Sequence, residues 1–100
     1  MTSTSEHGAT SIRFEWDIEK ADRNLVRHGV SFAEASTVFG DPLSVTVHDP
    51  LHSDAEDRFV LFGLSDRGRL LAVVHTDRGG TTRIISARIA TRHERTQYEG

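Results

Sequence analysis

The sequence contains no cysteine, and this absence excludes a disulfide framework and any chemistry that depends on a thiolate. No apolar run approaches the roughly 20 residues of a membrane-spanning helix. The opening segment, MTSTSEHGATSI, has neither the cationic start nor the apolar core of a secretory signal. We therefore expect a cytoplasmic protein with no membrane partner, in which residues 1–11 form a disordered tail and residues 12–100 form a single domain.

Lysine is almost absent as well, because eleven of the twelve basic side chains are arginine. A guanidinium binds a phosphate or a carboxylate through two parallel hydrogen bonds, although a high-GC genome would produce the same bias. The charges are also divided unequally: residues 1–57 hold 4 basic and 11 acidic side chains, whereas residues 58–100 hold 8 and 4. The second half therefore suits phosphate, and the first half suits a basic protein partner.

Hydrophobic periodicity predicts that the domain begins with a strand and a helical hairpin. Residues 12–16 alternate as a strand does, and Asp17 is placed to cap a helix that extends to about residue 28. Gly29 follows at the position that favours a left-handed backbone, and Ser31 is placed to cap a second helix through residue 39. The hairpin must pack on another layer to bury its apolar side.

That other layer is predicted to be a sheet, with strands at residues 43–48, 58–65, 69–76 and 83–89. Two short links that contain glycine predict an antiparallel meander, and residues 70–74, which are apolar on both faces, predict a central strand. Thr91 and Glu94 stand at capping-box spacing, so a C-terminal helix should follow. The expected fold class is α+β, with the helical hairpin packed on a mostly antiparallel sheet.

Periodicity also predicts which way the side chains face. In the first helix, a stripe toward the core is formed by Ile18, Ala21 and Leu25. A polar stripe, which we interpret as solvated, is formed by Lys20, Asn24 and Arg27. In the last strand, alternation places Ile84, Ser86 and Arg88 on one face and Arg83, Ile85, Ala87 and Ile89 on the other.

The segment HDPLHSD, residues 48–54, raises the question of a metal site because its two histidines are four residues apart. On a helix such a pair would converge on one ion, but Pro50 makes a continuous helix improbable. We interpret the segment as a solvated loop and expect neither a metal ion nor a cofactor.

Together the motifs resemble those of the BrnT family, ribonuclease toxins of type II toxin-antitoxin modules. The resemblance spans nearly the whole domain and includes FEWD at 14–17, HGVSFAEA at 28–35, VFGDP at 38–42, RLL at 69–71 and RIISAR at 83–88. It implies a RelE-like fold, cleavage of messenger RNA that arrests translation, and neutralisation by a BrnA-like antitoxin with a ribbon-helix-helix DNA-binding part. Contact with DNA would then occur only through the antitoxin, and whether the RNA is cut on the ribosome is left open.

Cleavage of RNA without a metal ion requires a base, an acid and cations for the charge that develops on phosphorus. We predict that the catalytic residues are His52, Glu56, Arg58, Arg83 and Arg88. Residues predicted to bind RNA are Lys20, Arg69, His75, Arg92 and Arg95. The alternatives are structural, since Arg58 and Arg83 begin strands and could be solvated, and His75 lies late in an apolar strand and could belong to the core.

Arg88 is the first choice for phosphate recognition, because it precedes the helix predicted to begin at Thr91. The amides and the positive end of a helix N-terminus favour a phosphate at the same place. The alternative is that Arg88 pairs with Glu94 and only stabilises the corner between the strand and the helix.

Two other classes of function compete with the ribonuclease. The two helices joined at Gly29 imitate a helix-turn-helix, but the second, residues 31–39, contains no lysine or arginine and one glutamate. Such a helix would enter a DNA groove with no cation for the phosphates. The remaining alternative is a non-catalytic adaptor that only binds the partner.

Overall fold

The computed structural model describes residues 12–49 and 57–100, so the tail predicted at residues 1–11 lies outside the described part. The elements in chain order are β1 (Arg13–Glu15), α1 (Ile18–His28), α2 (Phe32–Thr37), a 3₁₀ turn (Val38–Gly40), β2 (Val45–His48), β3 (Phe59–Leu64), β4 (Leu70–Arg78), β5 (Thr81–Ile89) and α3 (Arg92–Glu99). The predicted α+β class is therefore confirmed.

The sheet has five strands in the order β1-β5-β4-β3-β2, with β4 in the centre as predicted. Strands β2 to β5 form the expected antiparallel meander, and β1 joins the edge parallel to β5. Gly79 and Gly80, with φ of 56° and 89°, form a two-residue turn that places Arg78 opposite Thr81. Positive φ at both central positions suits the right-handed twist of a hairpin, and glycine adopts it without strain.

The main core lies between the helical hairpin and one face of the sheet. Its buried members are Val30, Phe32, Ala35, Val38, Leu61, Leu71, Val73, Ile84 and Ala87. The predicted caps position the hairpin: the Asp17 carboxylate accepts from the amides of residues 19 and 20, Gly29 has φ of 70°, and the Ser31 hydroxyl accepts from the Glu34 amide. Each bond satisfies a donor that a helix end leaves unpaired.

The end of the 3₁₀ turn packs closely against β3 at Gly63. A Cβ atom at Gly63 would lie 2.9 Å from Val38 Cγ1 and 3.0 Å from the Asp41 carboxylate. That carboxylate accepts from the Leu64 amide at 2.8 Å and from the Tyr98 hydroxyl at 2.6 Å, so it joins the turn to both β3 and α3. These hydrogen bonds hold the pKa of Asp41 below its ordinary value, and the Tyr98 bond raises the pKa of the phenol.

Asn24 corrects the prediction for the first helix. Its side chain is 7% exposed, whereas Ile18 and Leu25, which were expected to face the core, are 72% and 50% exposed. The assignment is confirmed for Ala21, which packs against the core, and was wrong for Ile18, Leu25 and Asn24. The buried side of α1 is turned toward the edge of the sheet, where a polar side chain has backbone partners.

The amide of Asn24 makes three hydrogen bonds that close the edge of β5. Strand β1 pairs with β5 only at residues 81–83, so no described strand covers Ala87 on that side. Asn24 Nδ2 donates to Ala87 O at 2.8 Å and to Val30 O at 2.9 Å, and Ala87 N donates to Asn24 Oδ1 at 3.1 Å. The side chain therefore replaces one residue of a missing strand, and it also fixes the connection between α1 and α2.

A bulge in β5 corrects the predicted faces of the last strand. Val74 lies opposite Ser86 and His75 opposite Ile84, so Ile85 has no partner in β4. Beyond this extra residue, each side chain of β5 lies on the face opposite to the one that simple alternation predicts. Ile84 and Ala87 consequently both face the helical hairpin, while Arg83, Ser86 and Arg88 lie on the opposite side, which we call the arginine face.

We expect Asn24→Ala to lower the free energy of unfolding by about 2–4 kcal/mol, because two carbonyls and one amide would lose their partners while staying buried. Urea unfolding measures this loss. Asp22→Ala, an exposed change in the same helix, serves as the control and should remain within about 0.5 kcal/mol of the wild type. Equal stability of Asn24→Ala and the control would contradict the role given to Asn24.

Candidate functional site

A row of four side chains crosses the arginine face near the end of the sheet. Glu15 lies opposite Arg83, and Arg83 lies opposite Thr76. Phe59 lies opposite His75, so the next pair in the antiparallel register sets Arg58 opposite Thr76. The backbones of Arg58 and Arg83 are then two strand spacings apart, about 10 Å, with Thr76 between them. Two long guanidinium side chains at that separation can converge on one phosphate.

Arg58 contains the one buried side-chain nitrogen or oxygen without a hydrogen-bond partner in the described part of the chain, its Nε. A buried donor without an acceptor costs free energy unless a ligand or water satisfies it. The backbone around it is fixed, because Arg58 O accepts from the Asp49 amide at 2.8 Å and Asp57 O accepts from the Thr76 hydroxyl at 2.6 Å. The backbone at Arg58 is therefore fixed, and its Nε is a buried donor without an acceptor.

Arg83 and Arg78 share the carboxylate of Glu15. Their NH1 atoms lie 3.4 Å and 3.6 Å from Glu15 Oε2. Arg83 retains donors beyond the single hydrogen bond to Glu15. Glu15 thus orients Arg83 without using all of its donors.

Arg88 pairs with Glu94 at the corner between β5 and α3. This pairing is the alternative to phosphate recognition that was considered for Arg88. Its NH1 and NH2 donate to the two Glu94 carboxylate oxygens at 2.7 and 2.9 Å. Glu94 also accepts from the Thr91 amide at 2.9 Å, and Thr91 accepts from the Glu94 amide, which completes the predicted capping box. The bonds from Arg88 lower the pKa of Glu94 to about 2. The Glu94 carboxylate thus occupies the place that we predicted for a phosphate.

The backbones of Arg83 and Arg88 are about 15 Å apart along β5, since each strand residue advances about 3.3 Å and the bulge shortens the path. The bulge sets them on the same face, but this distance is too long for both to contact one phosphate. The structure therefore brings Arg58 and Arg83 together and places Arg88 beside a neighbouring part of the same face.

Two of the predicted RNA-binding residues are engaged in the fold. Arg69 binds the buried carboxylate of Glu34 through Nε at 2.9 Å and also through NH2, which donates to Gly29 O at 3.1 Å as well. The Arg69 bond lowers the pKa of Glu34. His75 is 6% exposed on the hairpin side, between the rings of Phe39 and Phe59, and burial lowers its pKa. Neither side chain lies on the arginine face.

The remaining predicted residues occupy different places. Lys20 is exposed on α1, Arg92 is exposed at the start of α3, and Arg95 pairs with Glu99 at 3.7 Å. His52 and Glu56, which were predicted to be catalytic, lie outside the described residues. Thr76, Glu15 and Arg78 were missed, because only the register between strands identifies them as neighbours of Arg83.

Residues 50–54, most of the segment HDPLHSD, lie outside the described residues. His48 Nε2 lies 3.4 Å from Asp57 Oδ1. Within residues 12–49 and 57–100, no group of three His, Cys, Asp or Glu side chains is placed to hold a metal ion. None of the described helices is long and apolar enough to span a bilayer.

The fold defines a class: a small α+β protein in which a helical hairpin covers one face of a five-stranded, mostly antiparallel sheet. The family model described as ribonuclease toxin, BrnT, of type II toxin-antitoxin system matches residues 16–94. The chain therefore belongs to the BrnT family of ribonuclease toxins.

The fold is also similar to a solved member of that family. The crystal structure of the Brucella abortus ribonuclease toxin BrnT superposes with a TM-score of 0.60 at 22% sequence identity, covering 82% of this chain and 100% of that chain. No protein with a curated description matches the chain significantly.

We expect the corner at Arg88 to stabilise the fold only where Glu94 is ionised. The folded pKa of about 2 lies below the ordinary 4.5, so the stabilisation is complete above pH 4.5 and is lost as the pH falls toward 2. At neutral pH, Glu94→Gln should be less stable than the wild type by about 1 kcal/mol, because the Arg88 side chain is partly solvated and the pair is screened.

Unfolding free energies measured across that pH range check this expectation. The difference between the wild type and Glu94→Gln should shrink steadily as acid is added. Gln97→Ala, an exposed change on the same helix without a titrating group, should differ from the wild type by the same amount at every pH. A Glu94→Gln difference that does not depend on pH would show that the ion pair contributes nothing.

Proposed function

We propose that this chain is a metal-independent endoribonuclease that cleaves messenger RNA and so inhibits translation. Membership of a ribonuclease toxin family supports the general activity. The observation that supports the finer proposal is the row on the arginine face, where Arg58 has a buried Nε without an acceptor and Arg83 lies two strands away. Two guanidiniums can supply the positive charge that a metal ion supplies in other nucleases.

In the proposed reaction the ribose 2′-oxygen attacks phosphorus and the 5′-oxygen leaves, which gives a cyclic phosphate and a free 5′-hydroxyl. Arg58 and Arg83 donate to the non-bridging oxygens, whose negative charge grows in the transition state. A base removes the 2′-proton and an acid protonates the leaving oxygen. We propose His52 and Glu56 for these two roles.

Arg88 then has a supporting role. It lies on the same face as Arg83 but beyond the reach of the same phosphate, and its guanidinium is already paired with Glu94. A flanking phosphate of the RNA would contact its remaining donors or exchange with the carboxylate. Lys20, Arg92 and Arg95 are the other proposed RNA contacts, and Arg69 and His75 act by holding the sheet and the hairpin in place.

A type II toxin has a protein antitoxin, and we propose a BrnA-like partner whose ribbon-helix-helix part binds DNA. This chain would then contact DNA only through that partner and would act in the cytoplasm, where messenger RNA is translated. The competing helix-turn-helix assignment is disfavoured, because α2 has six residues and buries Phe32, Glu34 and Ala35. A recognition helix needs an exposed face to enter a groove.

The purified protein should cleave single-stranded RNA in the presence of EDTA, since arginines supply the positive charge at phosphorus. Gel analysis of the products measures the activity, and the products should end in a cyclic phosphate. Activity that disappears in EDTA and returns with a divalent ion would overturn the metal-independent mechanism. Complete inactivity of the folded protein would favour the adaptor instead.

Arg58→Ala and Arg83→Ala should each lower kcat on the order of 10²-fold, because each removes a donor to the developing charge. Arg83→Lys should recover little, since an ammonium cannot reproduce the two-pronged contact. Urea unfolding should show that Arg83→Ala costs at most about 1 kcal/mol, as for a partly exposed ion pair. Arg67→Ala, in the exposed turn after β3, is the matched control, and wild-type cleavage by Arg83→Ala would end the assignment.

A further inference from the structure

Beside the sheet, α1 and β5 form an open groove of about 550 Å³, whose lining includes Lys20, one of the proposed RNA contacts. Its floor is Asn24, whose amide hydrogens and oxygen are already engaged with backbone groups. Its polar walls are Lys20, Asp22, Arg23, Arg27, His28 and Ser86. The floor is thus closed to a ligand's polar groups, and the walls are available to them.

The groove is cationic. Lys20, Arg23 and Arg27 stand at i, i+3 and i+7, which is one stripe of a helix about 10 Å long. None of the three forms a salt bridge within the described part of the chain, and Asp22 is the one acidic side chain of the lining. Arg27 also suits the negative C-terminal end of α1, but Lys20 and Arg23 lie too far from that end to be explained by it.

The groove adjoins the arginine face at Ser86. Ser86 lines the groove, and after the bulge at Ile85 it lies on the same side of β5 as Arg83 and Arg88. A bound polyanion that extends beyond Arg58 and Arg83 can therefore pass Ser86 and enter the groove between α1 and β5. Val26, which is 88% exposed, adds an apolar surface at the rim for a base or a ribose.

We propose that the α1–β5 groove binds the single-stranded RNA segment that flanks the scissile phosphate, with Lys20, Arg23 and Arg27 contacting successive backbone phosphates. This inference rests on the proposed function. An acidic protein segment would also suit the positive charge of the groove. The position of Ser86, between the groove and the side of β5 that carries Arg83, favours RNA, because an RNA strand bound at Arg58 and Arg83 would need a path past Ser86.

The double variant Arg23→Gln/Arg27→Gln tests the groove with a fluorescently labelled oligouridine long enough to cover both regions. Its KM should rise at least about tenfold, because two charge-assisted contacts are lost. The slope of log affinity against log salt should become shallower by about 1.4, or about 0.7 for each phosphate contact removed. The kcat at saturating RNA should stay at the wild-type value, since the scissile phosphate is held elsewhere.

Two single variants control for general charge effects. Asp22→Asn removes the acidic group of the lining and should lower KM, the opposite direction from the double variant. Arg67→Gln removes one cation from an exposed turn away from the groove and should leave KM unchanged. Thermal unfolding of all variants should match the wild type, because the altered side chains are exposed.

The outcomes separate this inference from the proposed function. If the wild type cleaves RNA and the double variant keeps its KM and salt slope, the groove proposal is overturned and the ribonuclease stands. If the wild type does not cleave, anisotropy with the same oligouridine still tests the groove, and equal affinity of the two proteins would overturn it. Weaker binding of purified antitoxin with unchanged RNA affinity would assign the groove to an acidic protein segment instead.

Discussion

The arrangement of the functional surfaces depends on the three hydrogen bonds of the Asn24 side chain. They attach α1 to the unpaired edge of β5 at Ala87 and to the connection before α2 at Val30. Ala87 is two residues beyond the bulged Ile85. The same bonds therefore hold the segment of β5 in which the alternation of side chains between the two faces is shifted. An amide is suited to this place because it offers a donor and an acceptor in the geometry of a backbone peptide.

The arginines discussed above differ in how they are paired with carboxylates. Arg69 and Arg88 each bind a carboxylate through two nitrogens, and the carboxylates, Glu34 and Glu94, join the hairpin and α3 to the sheet. Arg58 and Arg83 lie in a row that contains one carboxylate, Glu15, which Arg78 shares. Neighbouring acids, rather than residue type, therefore decide which guanidiniums are fully paired within the fold.

The net charge of a stretch of sequence does not determine the charge of the surface to which that stretch contributes. The N-terminal half is strongly acidic, yet α1, which belongs to it, contributes Lys20, Arg23 and Arg27 to the cationic groove. The orientation of α1 toward β5 turns these side chains to the groove. An acidic average is consequently compatible with a surface that binds a polyanion.

Local chemistry determined much of the fold from the sequence alone. The caps at Asp17, Ser31 and Thr91 and the left-handed position at Gly29 depend on atoms within a few residues, so pattern and propensity suffice to predict them. The burial of Asn24, the bulge at Ile85 and the row of Arg58 with Arg83 depend on strand register and on residues far apart in the chain. Only the tertiary structure decided them, because a one-residue shift in register reverses every face and leaves the local sequence unchanged.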